Sequence, residues 1–247
     1  FVRNHDELTL DQLTDGQRQE VFDAFGPDPD MQLFDRGLRR RLPPMLDGDP
    51  RRIRMVYSLA FSLPGTPVLF YGEEIGMGEE RAAEGRMAVR TPMQWTSGRN
   101  AGFSTARPSR LPAPIVEGGF GPDHVNVQDQ RRDPDSLLRF MELLIRRYRE
   151  SPELGWGELE ILDQPHRAVL AHRLTHDGDS TVALHNLGAE AVSVPLRLPD
   201  LDDQVELVDQ LCDGTCRPDD RGRVEVDLEG YGFRWLRVAR PGDRRLR

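Results

Sequence analysis

The sequence contains no lysine: all 33 of its basic residues are arginine, against 42 acidic residues and a formal net charge of −9. This acidic balance argues against nucleic acid as the main partner, because the phosphate backbone attracts basic surfaces. The heavy use of Arg, Gly, Pro and Asp indicates coding bias rather than an arginine-rich binding surface. We therefore interpret the arginine runs at 39–41 and 51–52 as solvated, salt-bridged helix faces.

Cysteine is also scarce, since Cys212 and Cys216, in a CDGTC loop, are the only two. A structural zinc site takes four ligands, which one such pair cannot supply alone. So few cysteines fit a reducing compartment, and we expect a cytoplasmic protein. No apolar run approaches bilayer length, and neither Met nor a secretory leader is visible at Phe1. We expect that a leader was removed or that the beginning of the chain is absent.

Apolar residues are nevertheless frequent enough for a sizeable core. Residues 49–63 have helical spacing with Asp49 as the cap, and the apolar run 67–71 is typical of a strand buried on both faces. The Gly/Pro-rich stretch 72–132 is long enough to predict a functional loop. Two βα units cannot bury a parallel sheet by themselves, so we expect the tail of a larger repeating β/α structure.

The spacing of the apolar residues changes from helical to alternating near residue 150. An amphipathic helix is predicted over 133–149. Beyond it, residues 168–174 and 181–187 flank an Asp-Gly turn and predict a β-hairpin. Further alternating stretches lie at 192–198, 224–228 and 233–235. We therefore expect an antiparallel sheet or small sandwich after a domain boundary near residue 150.

The densest group of chemically useful side chains is RNHDE at residues 3–7, directly after an apolar pair. Charged and polar groups at the C-terminal end of a barrel strand are where active sites are built. A histidine beside an aspartate can hold the vicinal hydroxyls of a sugar, because a donor and an acceptor lie within reach of adjacent oxygens. On spacing alone, a helix cap and turn is the simpler interpretation.

Several motifs, in the order in which a known family carries them, favour the first interpretation. FVRNHDELT at 1–9 resembles the fourth sequence block of glycoside hydrolase family 13, the α-amylase superfamily. GTPVLFYGEEIG at 65–76 resembles the family's last block, on the eighth barrel strand. RTPMQW at 90–95 and NAGFS at 100–104 are similar to a loop of its maltose- and isomaltose-acting branches. Within these branches, the first motif and residues 28–46 look most like the trehalose synthases (maltose α-D-glucosyltransferases).

The resemblance implies an α/β plus all-β architecture. Residues 1–150 would form the C-terminal part of a (β/α)8 TIM barrel, with its last two strands, their helices and the long final βα loop. Residues 151–247 would form the antiparallel β-sandwich domain that closes such enzymes. The stretches 79–87 and 114–123 depart from the trehalose synthase pattern, and this puts the substrate and product in doubt but not the family.

The resemblance also assigns roles to individual residues. Asp6 matches the family's third carboxylate, which stabilises the transition state by gripping the 2- and 3-hydroxyls of the sugar being cleaved. His5 matches the adjacent histidine that binds the same sugar. Arg90 and Gln94 lie on the loop near the active-site mouth and are candidate substrate-binding residues. For these two residues, a role in only pinning the loop to the barrel stays open.

Four other residues are interpreted as structural. Glu73 and Glu74 follow a strand end, but adjacent residues on a strand point to opposite faces, so we do not expect a catalytic pair. Trp95 and Phe103 could stack on sugar rings, and core or loop packing is the expected role. In the family, the carboxylate nucleophile and the general acid lie on earlier strands, and no position here matches them. We therefore expect that this chain alone does not turn over sugar.

For the complete protein, the resemblance implies a retaining enzyme of α-glucoside metabolism that acts on maltose, trehalose or maltooligosaccharides and rearranges maltose to trehalose. The alternative within the family is an α-glucosidase or α-amylase, in which water accepts the glucosyl group. The alternative from another class is a non-catalytic carbohydrate-binding or interaction fragment. No cofactor is expected in this chain, calcium is possible in the complete protein, and neither nucleic acid nor membrane is an expected partner.

Overall fold

The computed structural model describes residues 1–243, and contacts within the chain divide it into two compact units. The first unit comprises Phe1–Ile53 and Val68–Met141. The second comprises Arg54–Pro67 and the chain from Glu142 onward. The division at residue 150 into a barrel part and a β-domain stays a prediction.

The described residues form helices, short antiparallel strands and single helical turns. The helices are α1 Asp15–Phe25, α2 Leu42–Met45, α3 Pro50–Ser62, α4 Val127–Gln130, α5 Leu137–Glu150 and α6 Pro152–Trp156. The strands are β1 Leu8–Thr9, β2 Gln32–Leu33, β3 Gly37–Leu38, β4 Glu158–Ile161, β5 Val169–His176, β6 Asp179–Asn186, β7 Val192–Arg197, β8 Glu206–Asp209, β9 Thr215–Cys216, β10 Arg223–Leu228 and β11 Phe233–Ala239. In the first unit, β1, β3 and β2 form a small antiparallel sheet in that order.

Helix α3 confirms the helix predicted over 49–63. The Asp49 side chain caps it by accepting a hydrogen bond from the Arg51 backbone N–H at 2.9 Å, and Pro50 occupies the first helical position. Arg51 is exposed and paired with Asp49, and Arg52 is paired with Asp47. The prediction of a solvated, salt-bridged face is therefore confirmed for this arginine pair.

The strand predicted over 67–71 does not form, and residues 67–70 belong to no helix or strand. Nor is the segment buried on both faces, because Val68 is 58% exposed. A β-strand requires a neighbouring strand to accept and donate its backbone hydrogen bonds, and no such neighbour occurs among residues 1–243. The apolar composition alone therefore did not determine the strand pairing.

The second unit is an antiparallel β-structure, as predicted. A sheet with the order β4-β5-β6-β11-β8-β9 and a two-stranded sheet of β10 and β7 enclose one apolar core. The alternating burial along β10 puts Val224, Val226 and Leu228 into that core. The predicted hairpin is β5–β6, and its turn residues Asp177 and Gly178 both have positive φ, as a two-residue primed turn requires. The sandwich expectation is therefore confirmed.

Two buried histidines, one on β5 and one on β6, stack in the second unit next to residues of α3. The His172 and His185 rings are 5.9 Å apart and nearly parallel. His185 Nε2 lies 3.0 Å from the Ser58 hydroxyl, and His172 Nε2 lies 2.8 Å from the Ser62 carbonyl. Burial, together with the neighbouring His172, lowers the pKa of His185 to about 3, and burial lowers the pKa of His172. Both rings are therefore neutral in the folded state.

We expect the second unit to lose stability as the pH falls below about 6.5, where histidines of the unfolded chain take up protons that the buried rings cannot. With a folded pKa of about 3, His185 alone accounts for a loss of roughly 2.5 kcal/mol between neutral pH and pH 4.5. Urea unfolding followed by the fluorescence of the buried Trp235 at a series of pH values measures it.

The control separates this pair from the carboxylates, which also titrate in acid. His185→Phe keeps a flat ring against His172 and Phe233 but removes the titrating group. We expect it to flatten the pH dependence between 6.5 and 4.5, and His176→Phe, which removes a histidine outside the buried pair, is the matched variant. An equal pH dependence in the His185→Phe protein would show that the buried pair does not cause the acid sensitivity.

Candidate functional site

The structure places Asp6 in a turn of the first unit. Asn4 Oδ1 accepts a hydrogen bond from the Asp6 backbone N–H at 2.8 Å, which fixes the turn after the apolar pair. His5 Nε2 lies 3.5 Å from Asp6 Oδ2. Both side chains reach solvent, with 67% of the His5 side chain and 39% of the Asp6 side chain exposed. A donor and an acceptor therefore stand next to each other on an open surface.

Arg90 joins this pair from a loop more than eighty residues along the chain. Its Nη2 donates to Asp6 Oδ1 at 2.9 Å, and its Nε donates to the His5 backbone carbonyl at 2.7 Å. The structure thus brings together three of the residues predicted from the sequence, which belong to two different motifs. We refer to His5, Asp6 and Arg90 as the Asp6 cluster.

Arg86 and Glu7 also belong to this site; Glu7 is part of the RNHDE group, whereas the sequence did not single out Arg86. Arg86 Nε donates to Glu7 Oε2 at 2.7 Å and lies 3.4 Å from Asp6 Oδ1. Arg36 Nη2 donates to the other Glu7 oxygen at 3.1 Å. The only available signal was that Arg86 falls in the stretch 79–87, which departs from the family pattern.

The two adjacent carboxylates differ in their surroundings. The hydrogen bond from Arg86, supported by Arg36, lowers the pKa of buried Glu7 to about 2. Glu7 is ionised at neutral pH and its oxygens are engaged by its two arginines. Asp6 is the carboxylate that solvent reaches, with Oδ2 directed to His5 and away from the Arg90 hydrogen bond. Asp6 is thus the solvent-accessible carboxylate of the two.

Gln94 does not join the Asp6 cluster. Its side chain is fully buried, and its Nε2 donates to the backbone carbonyls of Phe120 at 3.1 Å and Val125 at 2.5 Å. These bonds tie the loop that carries the RTPMQW motif to residues 120–125. The geometry favours the second of the two roles left open by the sequence, that of pinning the loop.

The remaining motif residues divide between packing and exposure. Glu73 is buried and accepts a hydrogen bond from the Phe70 backbone N–H at 2.7 Å, as expected for a structural residue. Glu74 is half-buried and shares a cleft with Arg90. Trp95 and Phe103 are 47% and 45% exposed, so they do not lie in the core, and the alternative of loop packing stays open.

The arginine run 39–41 is buried, which corrects the expectation of a solvated helix face. Arg39 donates to two backbone carbonyls of the stretch 81–83. Arg40 Nε donates to Glu79 Oε1 at 2.7 Å, and Arg41 donates to the carbonyls of residues 71 and 89. Long guanidinium groups can thus replace a hydrogen-bonded sheet in holding irregular segments together.

Arg3 lies beside this network without hydrogen bonds of its own. Its side chain is buried, and its three guanidinium nitrogens have no hydrogen-bond partner among residues 1–243. Burial and the neighbouring charge of Arg41 lower its pKa to about 10, against the opposing effect of Glu79. Arg3 therefore stays charged at neutral pH and depends on nearby carboxylates for compensation.

Neither a metal centre nor a membrane span is found in the part of the chain that the structure describes. Over residues 1–243, no three His, Cys, Asp or Glu side chains are grouped so that they could hold a metal ion. No described helix is both long enough and apolar enough to cross a bilayer. Calcium in the complete protein stays a prediction.

Sequence comparisons connect these motifs with known enzymes. The family description "Alpha amylase, catalytic domain" matches residues 40–157, and "Sucrose hydrolase-like, C-terminal domain" matches residues 178–237. A trehalose synthase of Pimelobacter sp. is 39% identical over 98% of this chain and 43% of its own length. One of Thermus thermophilus is 38% identical over 94% of this chain and 24% of its own length. A "trehalose synthase/amylase" of Mycobacterium tuberculosis is 38% identical over 97% of this chain and 40% of its own length.

Solved structures share the fold. A trehalulose synthase variant superposes with a TM-score of 0.64 at 20% identity, over 96% of this chain and 42% of its own. The α-amylase of H. orenii superposes with a TM-score of 0.62 at 23% identity, over 81% of this chain and 38% of its own. The chain spans less than half the length of the relatives named above. It has the α-amylase fold as a partial barrel followed by a β-rich C-terminal domain. The chain belongs to the α-amylase superfamily, glycoside hydrolase family 13.

Proposed function

We propose that this chain provides one side of the glucosyl-binding site of a retaining α-glucoside enzyme, with Asp6 as the transition-state stabiliser. The observation that carries the proposal is the exposed Asp6 carboxylate, flanked by His5 and hydrogen-bonded to Arg90 from a second motif. Its oxygens would accept hydrogen bonds from the 2- and 3-hydroxyls of the glucose ring. His5 and Arg90 would bind the same sugar.

The role of Asp6 follows from the charge that develops during glycoside cleavage. As the ring flattens towards an oxocarbenium ion, its hydroxyls become more acidic and their hydrogen bonds to a carboxylate strengthen. An interaction that is stronger in the transition state than in the ground state lowers the barrier. The nucleophile and the acid/base carboxyl that a retaining mechanism requires would come from earlier strands of the complete barrel.

We infer that the complete protein converts maltose into trehalose. The relatives that match nearly the whole chain carry the name trehalose synthase, which supports transfer of the glucosyl group to the released glucose. Transfer requires a site closed against water, since hydrolysis competes for the same intermediate. The name of the M. tuberculosis relative includes amylase, so an α-glucosidase or α-amylase activity is the second candidate.

The two free cysteines support a cytoplasmic location.

The test uses the full reading frame that contains this sequence, expressed as one protein and incubated with maltose. We expect chromatography to show trehalose as the main product and free glucose as a minor one. Glucose as the main product would replace the synthase assignment by a hydrolase. No consumption of maltose, trehalose or maltooligosaccharides by a folded protein would contradict the enzyme proposal altogether.

The 247-residue chain provides the matched comparison. We expect it to bind maltose weakly without converting it, because none of its residues matches the nucleophile or the acid of the family. Conversion by this chain alone would contradict that expectation. Binding without conversion by the full reading frame would favour the alternative of a non-catalytic carbohydrate-binding protein.

A further inference from the structure

A cleft of about 360 Å³ opens beside Arg90 within the first unit. Three aromatic side chains line it and are each about half exposed: Tyr71, Trp95 and Phe103. Its volume falls within the range of small-molecule sites. Exposed aromatic rings grouped around a concavity leave apolar area in contact with water, and such groups mark binding sites. The roles proposed for the Asp6 cluster do not use these rings.

The loop that presents the rings is held in one conformation. Asn100, Ala101 and Gly102 have φ values of 53°, 55° and 68°, so three consecutive left-handed residues turn the chain back on itself. The turn allows the Trp95 backbone N–H to donate to the Ala101 carbonyl at 2.8 Å, which brings Trp95 and Phe103 to the same cleft.

This turn is strained, and its surroundings stabilise it. Non-glycine residues in the left-handed region persist only where neighbouring contacts require them. Here Asn100 Nδ2 donates to the carbonyls of Ser104 and Ala106, both at 2.8 Å, and Ala101 is buried. The Gly102 backbone packs closely against Thr96, since a Cβ atom added at Gly102 would lie only 2.7 Å from the Thr96 hydroxyl oxygen. The backbone that carries the rings is therefore preorganised.

Polar groups in the same cleft identify the chemistry of its occupant. Arg90 uses Nε and Nη2 in the Asp6 cluster, and its Nη1 has no acceptor in the described part of the chain. Glu74 adds a carboxylate to the lining. Tyr71 closes one side, with its hydroxyl donating to the Thr91 carbonyl at 2.6 Å. A donor and an acceptor beside aromatic faces match the hydroxyl rim and the C–H face of a pyranose, whereas a purely apolar peptide segment would offer no hydrogen bond to Arg90 Nη1 or to the Glu74 carboxylate.

We propose that this cleft binds a pyranose ring of an α-glucoside, which stacks on Trp95 and Phe103 while Arg90 and Glu74 hydrogen-bond its hydroxyls. Arg90 also belongs to the Asp6 cluster. Its guanidinium would therefore lie between two neighbouring sugar-binding positions, one at Asp6 and one in the cleft. The identity of the sugar as an α-glucoside rests on the proposed function. The stacking geometry is independent of it.

The test is a titration of the 247-residue chain with maltose, followed by saturation-transfer difference NMR. Trp95→Ala and Phe103→Ala should each weaken binding on the order of fivefold, and Trp95→Tyr, which keeps a ring, should restore most of it. Trp156→Ala is the matched control, because Trp156 is an exposed tryptophan in the second unit, and it should change nothing. Circular dichroism of every variant identifies any that fails to fold.

Asp6→Ala distinguishes the cleft from the proposed function. If maltose binding is lost in Asp6→Ala but unchanged in both cleft variants, the cleft proposal is wrong and the role of Asp6 stands. If binding is lost in the cleft variants and unchanged in Asp6→Ala, the cleft stands and the proposed function fails. If the folded wild-type chain binds no maltose and instead binds the apolar dye 1-anilinonaphthalene-8-sulfonate in a Trp95-dependent way, the cleft is an apolar docking surface and the proposal is overturned.

Discussion

Asp6→Asn in the protein expressed from the full reading frame should lower kcat/KM for maltose by about three orders of magnitude. The asparagine keeps the shape of the side chain but removes the negative charge that faces the oxocarbenium-like ring in the proposed mechanism. A thousandfold loss corresponds to about 4 kcal/mol of transition-state stabilisation. The measurement is the initial rate of maltose conversion at several substrate concentrations.

Folding should not account for that loss. More than a third of each side chain is exposed for Asp6 and for its partners Arg86 and Arg90. An ion pair of that exposure contributes about 0–1 kcal/mol to stability, so the variant should unfold at nearly the wild-type denaturant concentration. Asp11→Asn is the control, because Asp11 carries the same charge and lies 3.8 Å from Arg36 near the same site. If Asp6→Asn retains more than a tenth of the activity, Asp6 does not have the proposed role.

The features that the sequence predicted correctly depend on local spacing or on motifs. Helix α3 follows from its cap and apolar stripe, and the β5–β6 hairpin follows from alternation around an Asp-Gly turn. The meeting of Asp6 with Arg90 could not be derived from spacing, since more than eighty residues separate them. It was expected because both belong to motifs of one family, and the hydrogen bond at 2.9 Å now places them together.

The features that the sequence predicted wrongly depend on long-range pairing. The segment 67–71 has the composition of a buried strand but no ladder partner among the described residues. The run 39–41 has the composition of a solvated surface, yet its guanidinium groups bind carbonyls from residues 71–89. Single-residue propensities contain none of this information, because it depends on which distant segments meet.

The same arginine network predicts where the first unit is most vulnerable. Glu79→Ala should destabilise this unit by about 3–5 kcal/mol, the usual effect of removing one partner from a buried ion pair. Glu79 Oε1 accepts from Arg40 Nε at 2.7 Å, and Oε2 accepts from the Arg41 backbone N–H at 2.8 Å. Its loss would leave buried Arg40 without its carboxylate and would remove a negative charge that offsets Arg3. Hydrogen exchange read by mass spectrometry measures the effect unit by unit.

Two comparison variants separate the ion pair from a general effect of the loop. Glu79→Gln keeps an oxygen that can accept from the Arg41 N–H, so it should destabilise the unit less than Glu79→Ala does. Glu84→Ala removes an exposed carboxylate five residues away and should change stability by less than about 0.5 kcal/mol. Exchange should accelerate in peptides from residues 68–141 and stay unchanged in the strands from 169 to 239. Equal protection in wild type and Glu79→Ala would mean that other groups compensate the buried arginines; for Arg3, Glu73 and Glu7 are candidates, because both raise its pKa.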